Sequence, residues 1–489
     1  MKRMMNLKLC IVALCTVLAA CATTIDQTRP AIALPAQWAE RTDHDAALDA
    51  GWWRGFDSPE LAALVEQALV ANPDAAIAVE RVIQAELAVR SAGASLFPSL
   101  SLGGSTASRG GDAGQGTGWS DSRSTGLSLG ASYEIDLWGR IAASVQGSEA
   151  VLWSTRFDEE TVRLSLAAGV ANAYFQVLSL RVRLAVASEN LAIAERVFDV
   201  VQVRERNGVA SQLDLSRQRT TVLSQRALIG PLQTQERQSL RALAILTGRV
   251  PDGFDVQAAD FGHLTIPQIG AGLPSDLLVR RPDLVSAQAS LGAADADVAV
   301  ARASLLPSIS LSGSGGLASA ALLSLASPAL SVGLTASIAQ TLFDGGRLRN
   351  QVAISESQRR ALVENYRAVV YAALKEVEDA LGNIATSREQ EGAQQEIQQE
   401  AQRSLRLSEL RYREGADDIT TVLDAQRTLF SAQDAVAQQR LARLAAAVDL
   451  YRALGGGWQA PESGPFAANM ESGADPDGLA NTPSRASAR

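Results

Sequence analysis

Apolar and polar positions alternate strictly along two stretches of the chain and follow a seven-residue beat along others. Leu127, Leu129, Ala131, Tyr133, Ile135 and Leu137 alternate with Ser128, Gly130, Ser132, Glu134 and Asp136. Leu330, Val332, Leu334, Ala336 and Ile338 do the same against Ser331, Gly333, Thr335, Ser337 and Ala339. Such a pattern predicts strands with one apolar and one small polar face. It suits a half-buried soluble sheet or a barrel wall between lipid and water. Elsewhere Leu166, Val170, Ala173, Val177, Leu180, Leu184, Ala187, Leu191, Ala194, Phe198 and Val201 are spaced four and three by turns. That 3.5-residue repeat predicts a left-handed coiled coil. The helix would run from Ile141 to Arg206, about 100 Å long at ~1.5 Å per residue, with a counterpart from Leu348 to Glu414. Shorter helices are predicted over 59–95, opened by the N-cap Ser58 and the first-turn Pro59, and over 213–247.

The pattern is written twice. Asn72-Pro73-Asp74 returns as Arg281-Pro282-Asp283, 209 positions on (282 − 73). Leu96-Phe97-Pro98-Ser99-Leu100-Ser101-Leu102 returns as Leu305-Leu306-Pro307-Ser308-Ile309-Ser310-Leu311 at the same offset. Arg204-Glu205-Arg206-Asn207-Gly208 matches Arg411-Tyr412-Arg413-Glu414-Gly415 at 207 (411 − 204), and Leu246-Thr247-Gly248 matches Leu454-Gly455-Gly456 at 208 (454 − 246). A period this long describes one domain folded from two similar halves. Each half reads helix, strand, strand, long helix, helix. Four strands cannot close a membrane barrel, for which about eight are needed. Other copies of the chain must therefore supply the rest of the wall, two copies giving eight strands and three giving twelve.

Composition narrows the chemistry. The chain has 489 residues, 47 % of them hydrophobic, and a net charge of −9, which leaves no basic footprint for nucleic acid. His44 and His263 stand alone, and the cysteines (Cys10, Cys15, Cys21) all lie in the first 21 residues. The body thus holds no thiol nucleophile, no disulfide and no histidine metal cluster. Lys375 is the only lysine after Lys8, and no glycine-rich phosphate loop precedes it. No catalytic constellation is present, so an enzyme is not expected, and no cofactor is expected beyond a covalent lipid. After Cys21 no apolar run is long enough for a membrane helix, so a membrane crossing would need closed strands.

Lys2, Arg3 and Lys8 precede a short apolar run that ends in Leu18-Ala19-Ala20-Cys21. This reads as a secretory signal, and its end resembles a bacterial lipobox, which implies acylation of Cys21. The alternative is an ordinary cleavage site with a chance cysteine. Ala22 after the cysteine resembles lipoproteins sent to the outer membrane. The expected organisation is a signal peptide at 1–20, a lipid-anchored segment at 21–57, repeat 1 at 58–250 and a linker at 251–272. Repeat 2 follows at 273–457, then a disordered tail at 458–489. The Gly- and Ser-rich stretch 103–124, with Arg109, Asp112, Trp119, Asp121 and Arg123, reads as an outer loop. Glu134 and Asp136 read as charges on the polar face of their strand. The Gln/Glu-rich stretch 387–404 reads as a solvated helix face.

Several motifs resemble the TolC-type outer-membrane efflux proteins, in particular their lipoprotein (NodT-like) branch serving resistance-nodulation-division systems. They are Trp52-Trp53-Arg54-Gly55-Phe56-Asp57-Ser58-Pro59-Glu60-Leu61, Asn72-Pro73-Asp74, Tyr133-Glu134-Ile135-Asp136-Leu137-Trp138-Gly139-Arg140, and Leu273-Pro274-Ser275-Asp276-Leu277-Leu278 with Arg280-Arg281-Pro282-Asp283. Phe343-Asp344-Gly345-Gly346-Arg347, Arg411-Tyr412-Arg413-Glu414-Gly415 and Val422-Leu423-Asp424-Ala425-Gln426 complete the set, in order, over residues 51 to 457. The resemblance implies a mainly α protein with membrane β. Each chain would supply four strands and long coiled-coil helices to a homotrimer with a 12-stranded β-barrel and a 12-helix α-barrel. It implies an exit duct anchored in outer-membrane lipid and extending into the periplasm, with a periplasmic adaptor (membrane fusion) protein and an inner-membrane efflux transporter as partners. It places Arg204, Gly208, Arg411 and Gly415 on adaptor-docking tips, and Asp214, Thr420 and Asp424 at the periplasmic gate. Each has a plainer reading beside it: both glycines close helices, and Ser211, Asp417 or Asp418 cap them. The alternative function is a non-conducting periplasmic coiled-coil lipoprotein tether.

Overall fold

The computed structural model describes residues 32–40, 49–112 and 119–460. Cys21, the signal segment and the chain beyond residue 460 lie outside them. Helices α1 (Pro59–Ala71) and α2 (Pro73–Ala94) lead into strands β1 (Ser99–Asp112) and β2 (Trp119–Ile135), then helices α3 (Arg140–Arg206) and α4 (Gln212–Leu246). The order then repeats as α5 (Leu277–Arg280), α6 (Pro282–Ala303), β3 (Ser308–Ser319), β4 (Ala329–Ala339), α7 (Arg347–Arg413) and α8 (Ile419–Ala453). The duplication is therefore present element for element: α3 and α7 have 67 residues each, α4 and α8 have 35 each.

Three sequence readings are corrected. The helix expected over 59–95 breaks at Asn72, which is extended (φ −71°, ψ 131°) because the ring of Pro73 disfavours helix before it. The Asn72 side chain then caps α2, accepting from the Asp74 and Ala75 amides, and α1 and α2 meet at a 43° bend. Secondly, most of the stretch read as an outer loop over 103–124 is strand, β1 running to Asp112 and β2 beginning at Trp119. Glycine is a poor strand former in isolation, but cross-strand pairing along the whole of β2 overrides the propensity. Thirdly, Asn72 Nδ2 donates to the Leu246 carbonyl at 2.9 Å, while its counterpart Arg281 donates to the Ala453 carbonyl at 3.1 Å. Leu246 thus corresponds to Ala453, an offset of 207 (453 − 246) rather than 208.

The chain forms two compact units that each hold pieces of both repeats. One comprises residues 81–112, 119–156 and 286–367 and contains a four-stranded antiparallel sheet in the order β1-β2-β3-β4. Its register aligns apolar residues across the strands: Leu102 with Leu129, Leu127 with Leu317, and Leu317 with Leu330. Small polar residues fill the alternate rungs, as in Ser99 with Ser132 and Ser312 with Thr335. Leu100, Leu102, Leu330, Val332 and Leu334 are exposed on one face, an arrangement that water penalises and lipid rewards. Among the described residues, the outer edges of β1 and β4 have no neighbouring strand. No single helix of the described chain is long and apolar enough to cross a membrane.

The other unit comprises residues 32–40, 49–80, 157–285 and 368–460. Its core stacks Trp52 on Tyr451 (centroids 5.1 Å apart) and sets Phe56 at a tilt against Phe175 (5.1 Å). The segment read as a linker at 251–272 is packed rather than free. Val256, Phe261, Leu264 and Ile269 are buried, and the Thr265 amide donates to the Phe56 carbonyl at 3.1 Å. Trp458, assigned to the tail, sits edge-on against Phe157 at 5.6 Å. Within the supposedly solvated 387–404 stretch, Glu391 is buried and accepts from both Arg440 and Arg443.

Candidate functional site

Both long helices close with one backbone device. At the end of α3, Gly208 (φ 71°) donates to the Glu205 carbonyl and Val209 donates to that of Arg204, both at 2.8 Å. At the end of α7, Gly415 (φ 78°) donates to Tyr412 and Ala416 donates to Arg411, at 3.1 and 2.9 Å. These paired bonds form the Schellman closure, whose left-handed position favours glycine.

The side chains on this duplicated frame have diverged. Arg204, in the last turn of α3, sends Nη1 to the carbonyls of Tyr412 (2.6 Å) and Arg413 (3.4 Å). Its guanidinium lies 4.5 Å from the centroid of the Tyr412 ring. A cation thus meets the negative end of the α7 dipole, where the last carbonyls lack helical partners. Arg411, the equivalent residue, pairs instead with Asp417 of its own turn through Nε–Oδ2 (2.6 Å) and Nη2–Oδ1 (3.0 Å). This fork holds the Asp417 carboxyl below, and the Arg411 guanidinium above, their ordinary values. Burial pushes the Tyr412 hydroxyl upward, the Arg204 charge opposing and the Asp214 carboxylate adding.

The returning helices start differently too. Ser211 caps α4 in a reciprocal box: Asp214 Oδ2 accepts from the Ser211 amide (3.0 Å) and hydroxyl (2.8 Å), and Ser211 Oγ accepts from the Asp214 amide (3.1 Å). Asp418 caps α8, accepting from the Thr420 amide at 2.8 Å, so of the two neighbouring acids Asp418 is the cap and Asp417 the ion-pair partner. Thr420 and Asp424 lie exposed on α8, one turn apart. Arg217 of α4 reaches Thr420 Oγ1 at 3.5 Å, and Asp424 Oδ1 lies 3.8 Å from Arg427. Asp424 also lines a groove of about 800 Å³ flanked by α3, α4 and α8, with Arg183, Arg217, Arg427 and Asp434. Arg183 and Asp434 cross it as an ion pair at 2.6 Å.

The helical unit thus brings Thr420 and Asp424 to one exposed stripe, whereas Asp214 is tied into the first turn of α4. Among the described residues, no hydrogen bond or ion pair joins Asp214 to Asp424. Among the residues expected at the docking tips, Arg204 is turned toward α7 while Arg411, Gly208 and Gly415 are exposed. Sequence reasoning missed Arg183, Arg217, Arg427 and Asp434. The available signal was their spacing: Thr420, Asp424, Arg427, Ser431 and Asp434 form a four-three polar stripe on α8. Asp136 is a further correction: it lies past the end of β2, where its carboxylate caps α3 by accepting from the Ile141 and Ala142 amides. Glu134 keeps the polar face and pairs with Arg140 at 2.8 Å.

The sequence profile of outer membrane efflux proteins matches this chain twice, at residues 64–249 and 273–456, one match to each repeat. The chain belongs to the outer membrane efflux protein family. The pyoverdine export outer membrane protein OpmQ of Pseudomonas aeruginosa is 40 % identical over 476 residues, 94 % of this chain and 98 % of that one. The toluene efflux pump outer membrane protein TtgC of Pseudomonas putida is 33 % identical over 90 % of this chain and 94 % of its own. The solved outer-membrane channel OprN superposes with a TM-score of 0.79 at 29 % identity, covering 89 % of this chain and all of that one. This efflux protein is therefore an outer-membrane channel with a TolC-like fold that extends into the periplasm, and a transport protein rather than an enzyme.

Proposed function

We propose that three copies of this chain form the exit duct of a tripartite pump. A periplasmic adaptor would dock at the tips bearing Gly208, Arg411 and Gly415, and an inner-membrane transporter would supply the energy. The observation that carries the assembly is the open sheet: four strands with two unpaired edges cannot stand in hydrocarbon, and the ring that removes both edges needs more copies. Cys21, outside the described residues, carries the lipid that anchors the chain, on the strength of the Leu18-Ala19-Ala20-Cys21 sequence. Arg204 acts at the tips by positioning, holding α3 to α7 from below the docking surface.

The gate in this reading is a ring of Asp424 carboxylates, one per copy, with Thr420 one turn earlier. Exposure of Asp424 on α8 beside Arg217 and Arg427 supports it. Like charges gathered at a constriction repel and favour cations, while the neighbouring arginines supply the attraction that holds it shut. Asp214 contributes by capping α4 at the same level. OpmQ and TtgC are named for unlike cargo, pyoverdine and toluene, which fits a duct whose cargo is chosen by its transporter.

Planar-bilayer recording of the reconstituted protein tests the reading. The duct conducts and Asp424→Ala raises the single-channel current; an unchanged current removes Asp424 from the constriction, and no conductance at all leaves the tether. Labelling with radioactive palmitate marks the chain but not Cys21→Ala.

A further inference from the structure

The groove flanked by α3, α4 and α8 holds more than a gate needs. Its charged lining sets the guanidiniums of Arg183, Arg217 and Arg427 against the carboxylates of Asp424 and Asp434. Arg183 and Asp434 neutralise each other at 2.6 Å, and Asp424 stands 3.8 Å from Arg427. Arg217 is left over: among the described residues its partner is a neutral hydroxyl, Thr420 Oγ1, at 3.5 Å. The end of the groove nearest the tips therefore carries a spare positive charge, in a chain whose net charge is −9.

Farther from the tips the lining turns apolar, with Leu228, Leu232 and Phe430. The same wall holds Asn190 of α3, only 3 % exposed, whose Oδ1 accepts no hydrogen bond among the described residues. A buried acceptor without a donor is destabilising, and the fold does not require this one. The repeats map by 207 positions from α3 to α7 (347 − 140) and from α4 to α8 (419 − 212), so Asn190 corresponds to Ile397. Leu228 and Pro231, also in the lining, correspond to Ala435 and Gln438. The unpartnered amide and the apolar floor beside it are features of repeat 1 alone. Asn190 lies 16 residues before the end of α3 (206 − 190) and Arg217 five beyond the start of α4 (217 − 212). At ~1.5 Å per residue the two stand roughly 24 and 8 Å from the turn that joins these helices.

We infer that this groove is a binding site for an elongated amphipathic anion. Its carboxylate pairs with Arg217, its apolar body lies along Leu228, Leu232 and Phe430, and a hydroxyl or amide N–H at its far end donates to Asn190. Rotation about the last torsion of asparagine is soft, so a small turn brings Oδ1 to the ligand. The groove's volume of about 800 Å³ suits such a molecule, since small-molecule sites run to roughly 300–1,000 Å³. That the ligand comes from solute inside the duct rests on the gate reading above, because Asp424 lines the same groove. The match of each end of the ligand to its residue does not depend on that reading.

Three rigid dyes probe the two ends separately. 4′-Hydroxyazobenzene-4-carboxylate carries both groups, azobenzene-4-carboxylate the acid alone, and 4-hydroxyazobenzene the phenol alone. Equilibrium dialysis against the protein in nanodiscs, with uptake by empty nanodiscs subtracted, gives a dissociation constant for each at about pH 6.5, where the acid is charged and the phenol neutral. The dye with both groups binds most tightly. Arg217→Gln, at an exposed position, weakens both carboxylates about tenfold and spares 4-hydroxyazobenzene. Asn190→Ile, which gives repeat 1 the side chain repeat 2 has there, weakens both phenols about fivefold and spares azobenzene-4-carboxylate. No saturable uptake by the wild type, or an equal loss for all three dyes in either variant, overturns the site. Planar-bilayer current from the same wild-type preparation keeps the two readings apart. A conducting protein without saturable binding ends this inference alone, whereas end-selective binding by a protein that passes no current ends the duct and leaves the groove.

Discussion

Four glycines close four helices with the same pair of hydrogen bonds, yet two of them sit in open space and two in a vice. Around Gly208 and Gly415 an added Cβ would meet nothing within 4 Å. At the far ends of α4 and α8, a Cβ on Gly248 would lie 2.3 Å from the Ala71 carbonyl oxygen, and one on Gly455 would lie 2.0 Å from that of Arg280. The backbones of α1 and α5 come that close because Asn72 and Arg281 reach over to cap Leu246 and Ala453. Duplication copied the helix closure everywhere, but close packing was kept only at the far ends. The tips kept the turn and left the space around it free.

Substitutions grade this contrast. Gly248→Ala and Gly455→Ala combine a left-handed strain with a backbone clash and should cost about 3 kcal/mol or more, read as a collapse in the yield of heat-stable assembled protein. Arg204→Ala removes a charged donor from two carbonyls and a cation from a ring, about 2 kcal/mol. Hydrogen exchange at the end of α7 should report it, with little change at the sheet. Gly208→Ala and Gly415→Ala carry strain alone, about 1 kcal/mol each; a loss as large as at Gly248 would erase the distinction between the two ends. The smallest effect is that of pH. Asp417 has its folded pKa lowered by Arg411, so the fork's contribution is complete above the ordinary carboxylate range near 3.8 and fades as pH falls through the lower folded value. Limited proteolysis of the α7–α8 turn should quicken in acid for the wild type, and Asp417→Asn should be fast at every pH.

The strands and long helices were legible because each rests on a period that one sequence displays. Leu330 to Ile338 alternate, and Leu166 to Val201 keep their beat, with Val170, Val177, Leu180 and Val201 fully buried. The break at Asn72 was equally available, since Pro73 forbids what the apolar pattern alone allows. Glycines 103, 104, 110 and 111 hid the upper part of β1, for the pairing that holds them is non-local. The tips were found through Gly208 and Gly415, but the opposite behaviour of Arg204 and Arg411 was not. Equivalent in sequence, they differ because Tyr412 stands where repeat 1 has Glu205, giving Arg204 a ring to lie against. Asp424 was singled out by its motif, while the groove it shares with Arg183 and Asp434 needed three helices to be placed.

The unpaired edges of β1 and β4 also bear on heredity. Backbone amides and carbonyls stranded in hydrocarbon cost several kcal/mol apiece, so a lone chain has no resting place in the bilayer. Insertion and oligomerisation become a single event. A cell made to express equal amounts of the sound chain and one with a spoiled edge would lose far more than half of its channels, since each bad copy disables the sound ones it joins.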